Sequence, residues 1–169
     1  RALWKKMNGW VLGGMKETYK AFGSKFDFWT LESEIYDKAR PLLKQGIKKG
    51  VFFKAERGDL IAKLEPLPDK VVLRADGTSI YITQDMALAK LRFEKYKIDS
   101  LIYVVATEQS LHFRQLFKIL QLLGYDWYKN CHHLAYGLVN LPSGRMKTRE
   151  GTVIDADDII QEVIALAKE

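Results

Sequence analysis

Cysteine is almost missing. Cys131 is the single one in 169 residues. That excludes an internal disulfide framework and Cys-rich zinc sites, and it suits a reducing compartment. Long apolar runs are missing too, with nothing near the roughly 18 residues that span a membrane. The chain opens Arg1-Ala-Leu-Trp-Lys-Lys6, which is no signal peptide. A cytoplasmic location without a membrane partner is expected. Histidine is scarce, with three in all. His132 and His133 are adjacent, and adjacent strand residues point to opposite faces, so they do not share a metal. No metal site is expected. Repeats, low-complexity tracts and flexible linkers are absent from the sequence. What remains is 47% hydrophobic and 28% charged, the composition of a soluble globular domain able to bury one sizeable core.

The charge is uneven. Net charge is +6. Residues 1 to 50 hold eleven Lys/Arg against five Asp/Glu, which accounts for the whole surplus. The simplest reading is a pair of solvated helices. The functional reading is an approach surface for an RNA backbone.

Local signals divide the chain. Ala2 to Phe22 has helical apolar spacing, weakened by Gly9, Gly13 and Gly14. Ser33 starts a helix toward Gly50, with Pro41 breaking it or opening a second one, and with Gly46 and Gly50 as stop signals. Val51–Ala55 and Leu60–Leu64 are strands around Arg57-Gly58-Asp59, a turn. A loop over Glu65-Pro-Leu-Pro-Asp69 follows. Val71–Arg74 and Ser79–Thr83 flank Asp76-Gly77, a hairpin signal because the turn needs positive φ. Thr83 is placed as N-cap of a helix with its stripe at Met86, Ala89, Phe93 and Tyr96. Ser100–Ala106 is a continuous apolar run, expected of a parallel strand buried on both faces. Ser110 opens a helix ended by Gly124, and His132–Val139 is the next strand. Asp155 caps a last helix with Ile159, Ile160, Val163 and Leu166 inward. Strand, helix and strand in alternation give an α/β fold with parallel crossovers.

Such sheets bind ligands beyond the carboxyl ends of their strands. Tyr81 and Asp85 fall at one end, Gln109 and His112 at the next. A carboxylate beside an aromatic face suits a planar cation, which pairs bidentately and stacks. The residues alone leave blander readings open. Asp85 can be a dipole partner in a first helical turn, Gln109 a loop amide, and His112 a solvated helix-start residue.

The run Arg74-Ala-Asp-Gly-Thr-Ser-Ile-Tyr-Ile-Thr-Gln-Asp85 resembles the catalytic-domain signature of arginyl-tRNA synthetases, a class I aminoacyl-tRNA synthetase family. Phe93-Glu-Lys-Tyr96, Gln109-Ser-Leu-His112, Tyr136-Gly-Leu-Val139 and Met146-Lys-Thr-Arg-Glu-Gly151 are similar to the same family. The resemblance implies the second half of a class I nucleotide-binding, Rossmann-like fold with parallel strands. A mostly helical connective insertion with a small antiparallel hairpin precedes it. Boundaries follow at 1–70 for the insertion, 71–154 for the catalytic half and 155–169 for the start of a helical junction. Tyr81, Asp85 and Gln109 are implied to hold arginine, and His112 to lie near adenosine. Leu138 and Val139 would hold adenine through main-chain atoms. The loop at 146–151 stands where class I enzymes carry Lys-Met-Ser-Lys-Ser. Lys147 and Arg149 are its implied catalytic cations, Arg145 a weaker third, with Met146 and Thr148 also at the ATP. ATP enters as substrate with magnesium as its counter-ion. The implied partners are arginine, ATP, its tRNA and the remaining parts of the synthetase. No His-Ile-Gly-His motif stands in this sequence, so a fragment unable to activate arginine by itself is expected. The alternative is a non-catalytic arginine- or tRNA-binding module.

Overall fold

The computed structural model describes residues 1–138, 140 and 153–168. The chain separates into two compact units, Arg1–Trp29 with Val139–Glu169, and Thr30–Leu138.

The larger unit begins with a short helix α2 (Glu32–Ile35), a 3-10 turn and α3 (Arg40–Lys48), α1 (Ala2–Ala21) being the first helix of the other unit. Pro41 sits in the first turn of α3, where its missing N–H is no loss. Gly50, at φ +68, ends the helix. Gly46 does not stop it. It is buried inside α3, and a Cβ there would overlap the ring of Phe52. The sequence reading as a stop signal is corrected to a close-packing position.

β1 (Phe52–Lys54), β2 (Leu60–Ala62) and β3 (Lys70–Leu73) form an antiparallel sheet in chain order. The hairpin turn at Asp76-Gly77 is present. Gly77 has φ +82, and Thr78 accepts from the Arg74 amide at 3.1 Å. The Asp76 carboxylate accepts from the Thr78 amide at 2.9 Å and from its hydroxyl at 2.7 Å. These bonds hold the carboxyl below its usual range.

The strand expected over Ser79–Thr83 is reduced to one bridge, Leu73 to Ser79. Helix α4 (Tyr81–Tyr96) starts there instead, with Ile80 before its first residue. Ile82, Thr83, Met86 and Ala89 are all buried along one face. Thr83 is therefore not a cap. Its hydroxyl donates to the Val72 carbonyl, tying α4 to β3. The alternation Ile80–Thr83 imitates a strand, but the packed face has helical period, and burial outweighs local propensity.

β4 (Leu101–Ala106), α5 (Ser110–Leu122) and β5 (Cys131–Tyr136) form the parallel crossover. β4 and β5 pair from Leu101–Cys131 to Ala106–Tyr136. Among the described residues this is the only parallel pair; the first expected crossover does not join β3 to β4. Gly124 at φ +85 closes α5, with the Tyr125 amide donating to Leu120 at 3.1 Å. That is the expected glycine-terminated helix end. α5 buries Phe113, Leu116, Ile119 and Leu120 in the core, with Phe113 against Tyr103 of β4 and His133 of β5. Each such apolar side chain contributes about 1.5–3 kcal/mol on leaving water. The other sheet face is bare, contrary to the expectation of burial on both sides: Ile102 is 59% exposed and Val104 63%.

In the smaller unit, α1 (Ala2–Ala21) and α6 (Ala156–Leu166) each bury no residue. Asp155 precedes α6 as expected, and Asp157 accepts from the Thr18 hydroxyl at 3.1 Å. Of the stripe expected to face inward, Ile160 is half-buried, while Ile159, Val163 and Leu166 are exposed. No helix among the described residues is long and apolar enough to cross a membrane.

Candidate functional site

Because α4 begins at Tyr81, Tyr81 and Asp85 stand one turn apart on the same face. Together with Gln84 and Leu88 they form one wall of a cleft of about 210 Å³. Thr30, Leu31, Glu32 and Ile35 form the other. Tyr81 is 76% exposed, so its ring offers an open face. Gln84 crosses the cleft, donating Nε2–H to Glu32 Oε1 at 2.8 Å. This bond fixes one carboxylate opposite another.

Asp85 is itself held. His112 Nε2 lies 2.7 Å from Asp85 Oδ2. An ionised carboxylate only accepts, so the imidazole donates. Side-chain exposure is 16% for His112 and 31% for Asp85. The second carboxylate oxygen is left for a partner arriving from the cleft. The first helical turn of α4 contains no acid. Asp85 lies past it, where the macrodipole has faded, so the dipole reading loses its footing.

Beneath His112 lies a packed aromatic floor. Phe113 meets the His112 ring edge-on at 5.3 Å, and the Tyr103 and His133 rings at 4.7 and 4.5 Å. His133 is fixed by the Val105 carbonyl at 2.9 Å. Burial pushes the Tyr103 hydroxyl far above its ordinary range, keeping it protonated. Burial also raises the Cys131 thiol to about 11. Neither is a candidate reactive group.

The structure thus brings Tyr81, Asp85 and His112 together. Gln109 is exposed in the turn between β4 and α5, outside the residues lining the cleft. Leu138 is exposed beyond the end of β5. Val139, Arg145, Met146, Lys147, Thr148, Arg149 and Glu150 lie outside the described residues. Glu32 was missed by the sequence reading. It stands in a different element from Gln84, 52 positions away, and nothing local marks it. Among the described residues no three His, Cys, Asp or Glu side chains converge as metal ligands.

A helix face presenting an aromatic ring and an anchored carboxylate, beside a parallel β–α–β crossover, agrees in kind with a class I synthetase catalytic fold. The family model described as "tRNA synthetases class I (R), catalytic domain" matches residues 1–169. The chain belongs to this family. Curated relatives bear the name arginine–tRNA ligase. That of Bacteroides fragilis is 51% identical over all of this chain and 29% of its own length. That of Treponema denticola is 50% identical over 95% of this chain and 28% of its own. The chain therefore spans under a third of the relatives it matches. Among solved structures, the Thermus thermophilus arginyl-tRNA synthetase superposes with a TM-score of 0.75 at 20% identity. The match covers 95% of this chain and 33% of that one. The Plasmodium falciparum arginyl-tRNA synthetase gives 0.72 at 18% identity, over 98% and 30%. At such identities these two support the fold alone.

Proposed function

We propose that this chain contributes the arginine pocket and the ATP-phosphate loop of an arginine–tRNA ligase, which joins arginine to its tRNA at the expense of ATP in the cytoplasm. The carrying observation is the cleft in which Tyr81, Asp85 and Glu32 meet. Two carboxylates and no cation line it, so a cationic side chain is favoured there. A guanidinium presents paired donors and a flat face, matching a carboxylate and a ring at once; an ammonium matches neither as well. His112 orients Asp85 from behind and, in the same reading, stands toward the adenosine. Gln109 helps bind the arginine from the turn that follows β4.

The main chain of Leu138 and Val139 holds adenine. Met146 and Thr148 position the nucleotide, and Lys147 and Arg149, with Arg145 behind them, stabilise negative charge developing as pyrophosphate leaves. ATP brings magnesium as its counter-ion. The described residues offer that ion no ligand set of their own. In this reading 1–70 is the connective insertion, 71–154 the catalytic half and 155–169 the start of a helical junction. The rest of the active site comes from other parts of the synthetase, so this polypeptide alone does not form arginyl-adenylate.

Calorimetric titration of the chain with arginine tests the pocket. Arginine is expected to bind, lysine at least tenfold more weakly, and Asp85→Asn to weaken arginine by about tenfold or more, the loss of one charge-assisted bidentate pair. Equal heats for arginine and lysine, or an unaffected Asp85→Asn, would remove the assignment.

A further inference from the structure

The cleft between α2 and α4 contains a contact that holding a cation does not by itself require. Glu32 and Asp85 line opposite walls, and like charges repel across such a gap. Glu32 is exposed, and a free glutamate side chain gains rotamer entropy by swinging out into water. It is held at the cleft instead, by the 2.8 Å bond from Gln84. Among the described residues no lysine or arginine bridges to Glu32 or Asp85. A tie that keeps one carboxylate opposite another prepares a place for a cation between them.

The same bond fixes the Gln84 amide. A carboxylate only accepts, so Nε2 faces Glu32 and the amide carbonyl is left as a further acceptor. Each carboxylate is pinned through one oxygen, Asp85 by His112 at 2.7 Å and Glu32 by Gln84. The second oxygen of each stays available. At about 210 Å³ the cleft is smaller than the roughly 300 Å³ at which pockets begin to enclose a whole small molecule. It therefore takes the guanidinium end of arginine. A guanidinium carries N–H donors around its rim. Asp85 pairs with one edge, and Gln84 with Glu32 meets N–H groups that Asp85 leaves. A methyl group on a terminal nitrogen removes one of those donors and sets an apolar group against a carboxylate. A site built on hydrogen bonds rejects the analogue that lacks one, because an acceptor is then left unpaired.

We infer that Gln84 and Glu32 make the cleft a filter for the unsubstituted guanidinium group, turning away arginine methylated on a terminal nitrogen. Glu32 accepts from the guanidinium rim, and Gln84 is the positioning residue that holds Glu32 there. This filter presupposes the proposed arginine pocket and adds to it which guanidines are refused.

Calorimetric titration of the full chain with arginine and with ω-N-methylarginine tests it. Wild type is expected to favour arginine about tenfold or more, the loss of one charge-assisted bond. Gln84→Met keeps the length and removes the amide. It is expected to weaken arginine about threefold and to leave the methylated ligand unchanged, so that the preference falls to about threefold. Glu32→Gln is expected to weaken arginine about fivefold and to leave about a twofold preference. Arginine lacking its α-amino group should show the same loss on Gln84→Met, because the contact is at the guanidinium. Equal affinity of wild type for arginine and its methylated form would overturn the filter and leave the pocket standing, and that comparison needs no variant to fold. Both ligands weakened alike by Gln84→Met, with the preference intact, would reduce the bond to a structural brace and overturn it too. So would a Gln84→Met loss confined to ligands that carry the α-amino group, which would put Glu32 at the main-chain end. A wild-type chain that gives no heat with arginine would sink the pocket and the filter together.

Discussion

In the proposed arginine pocket, Asp85 works through how it is held. A carboxylate free to rotate presents its lone pairs in many directions, whereas a carboxylate with one oxygen anchored presents the other in one. His112 supplies the anchor at 2.7 Å, and the aromatic floor at Phe113 supports the imidazole edge-on. His112→Phe keeps the ring volume and removes the donor. The expected result is arginine affinity lowered about threefold to tenfold, the net worth of one hydrogen bond of about 0.5–1.5 kcal/mol. His112→Gln, which retains a donor, should recover part of it. Calorimetry reads both. An unchanged His112→Phe would mean that Asp85 needs no positioning partner. Tyr81 and Asp85 were legible as a pair from the sequence, although for an incomplete reason. They were placed together at the end of a strand, and they meet because they are i and i+4 on a helix. Glu32 was not legible: a contact made across a cleft leaves no trace in local spacing.

Elements were legible where the chain's own chemistry decides them. Asp76-Gly77 forces a turn, Gly124 ends α5, and the apolar run at 101–106 is a strand. They were not legible where packing decides. The segment 79–83 alternates like a strand, but Ile82 and Thr83 belong to the buried face of α4. Gly46 shows the same limit from the other side. In sequence it is a helix breaker. In the fold it is the point at which α3 lets the Phe52 ring of β1 approach. That contact joins the helical layer to the antiparallel sheet, and Phe52 is only 3% exposed. Helix propensity alone would make Gly46→Ala stabilising by about 1 kcal/mol. Overpacking opposes it by about 1–3 kcal/mol, and a clash with a buried ring that has nowhere to turn falls at the upper end. Gly46→Ala is therefore expected to lower the thermal midpoint. Gly9→Ala, with no atom within 4 Å of the added carbon among the described residues, should leave it unchanged or raise it. Scanning calorimetry on the two variants decides, and a stabilised Gly46→Ala would refute the packing.

At the scale of the molecule the informative feature is the uncovered sheet. A parallel sheet normally carries cover on both faces. Here α5 covers one. On the other, Leu134 is 59% exposed and Tyr136 51%, beside Ile102 and Val104. These residues pair across the ladder, Ile102 with His132 and Val104 with Leu134, so the patch is contiguous rather than scattered. Patches of this kind mark surfaces that work against another surface. The chain also spans only 29% of the B. fragilis relative, and the sequence offers no His-Ile-Gly-His motif. Arginine binding and arginine activation should therefore come apart in this polypeptide. In the proposed function, binding needs only the cleft between α2 and α4. Activation also needs ATP held in line with the arginine carboxylate, and misplacement by even about 1 Å costs on the order of a hundredfold in rate. The 169-residue chain is expected to give heat with arginine yet no arginine-dependent exchange of radiolabelled pyrophosphate into ATP. Exchange above the no-enzyme background, abolished by Asp85→Asn, would show that the catalytic constellation is complete within this chain. The bare sheet face would then need another explanation.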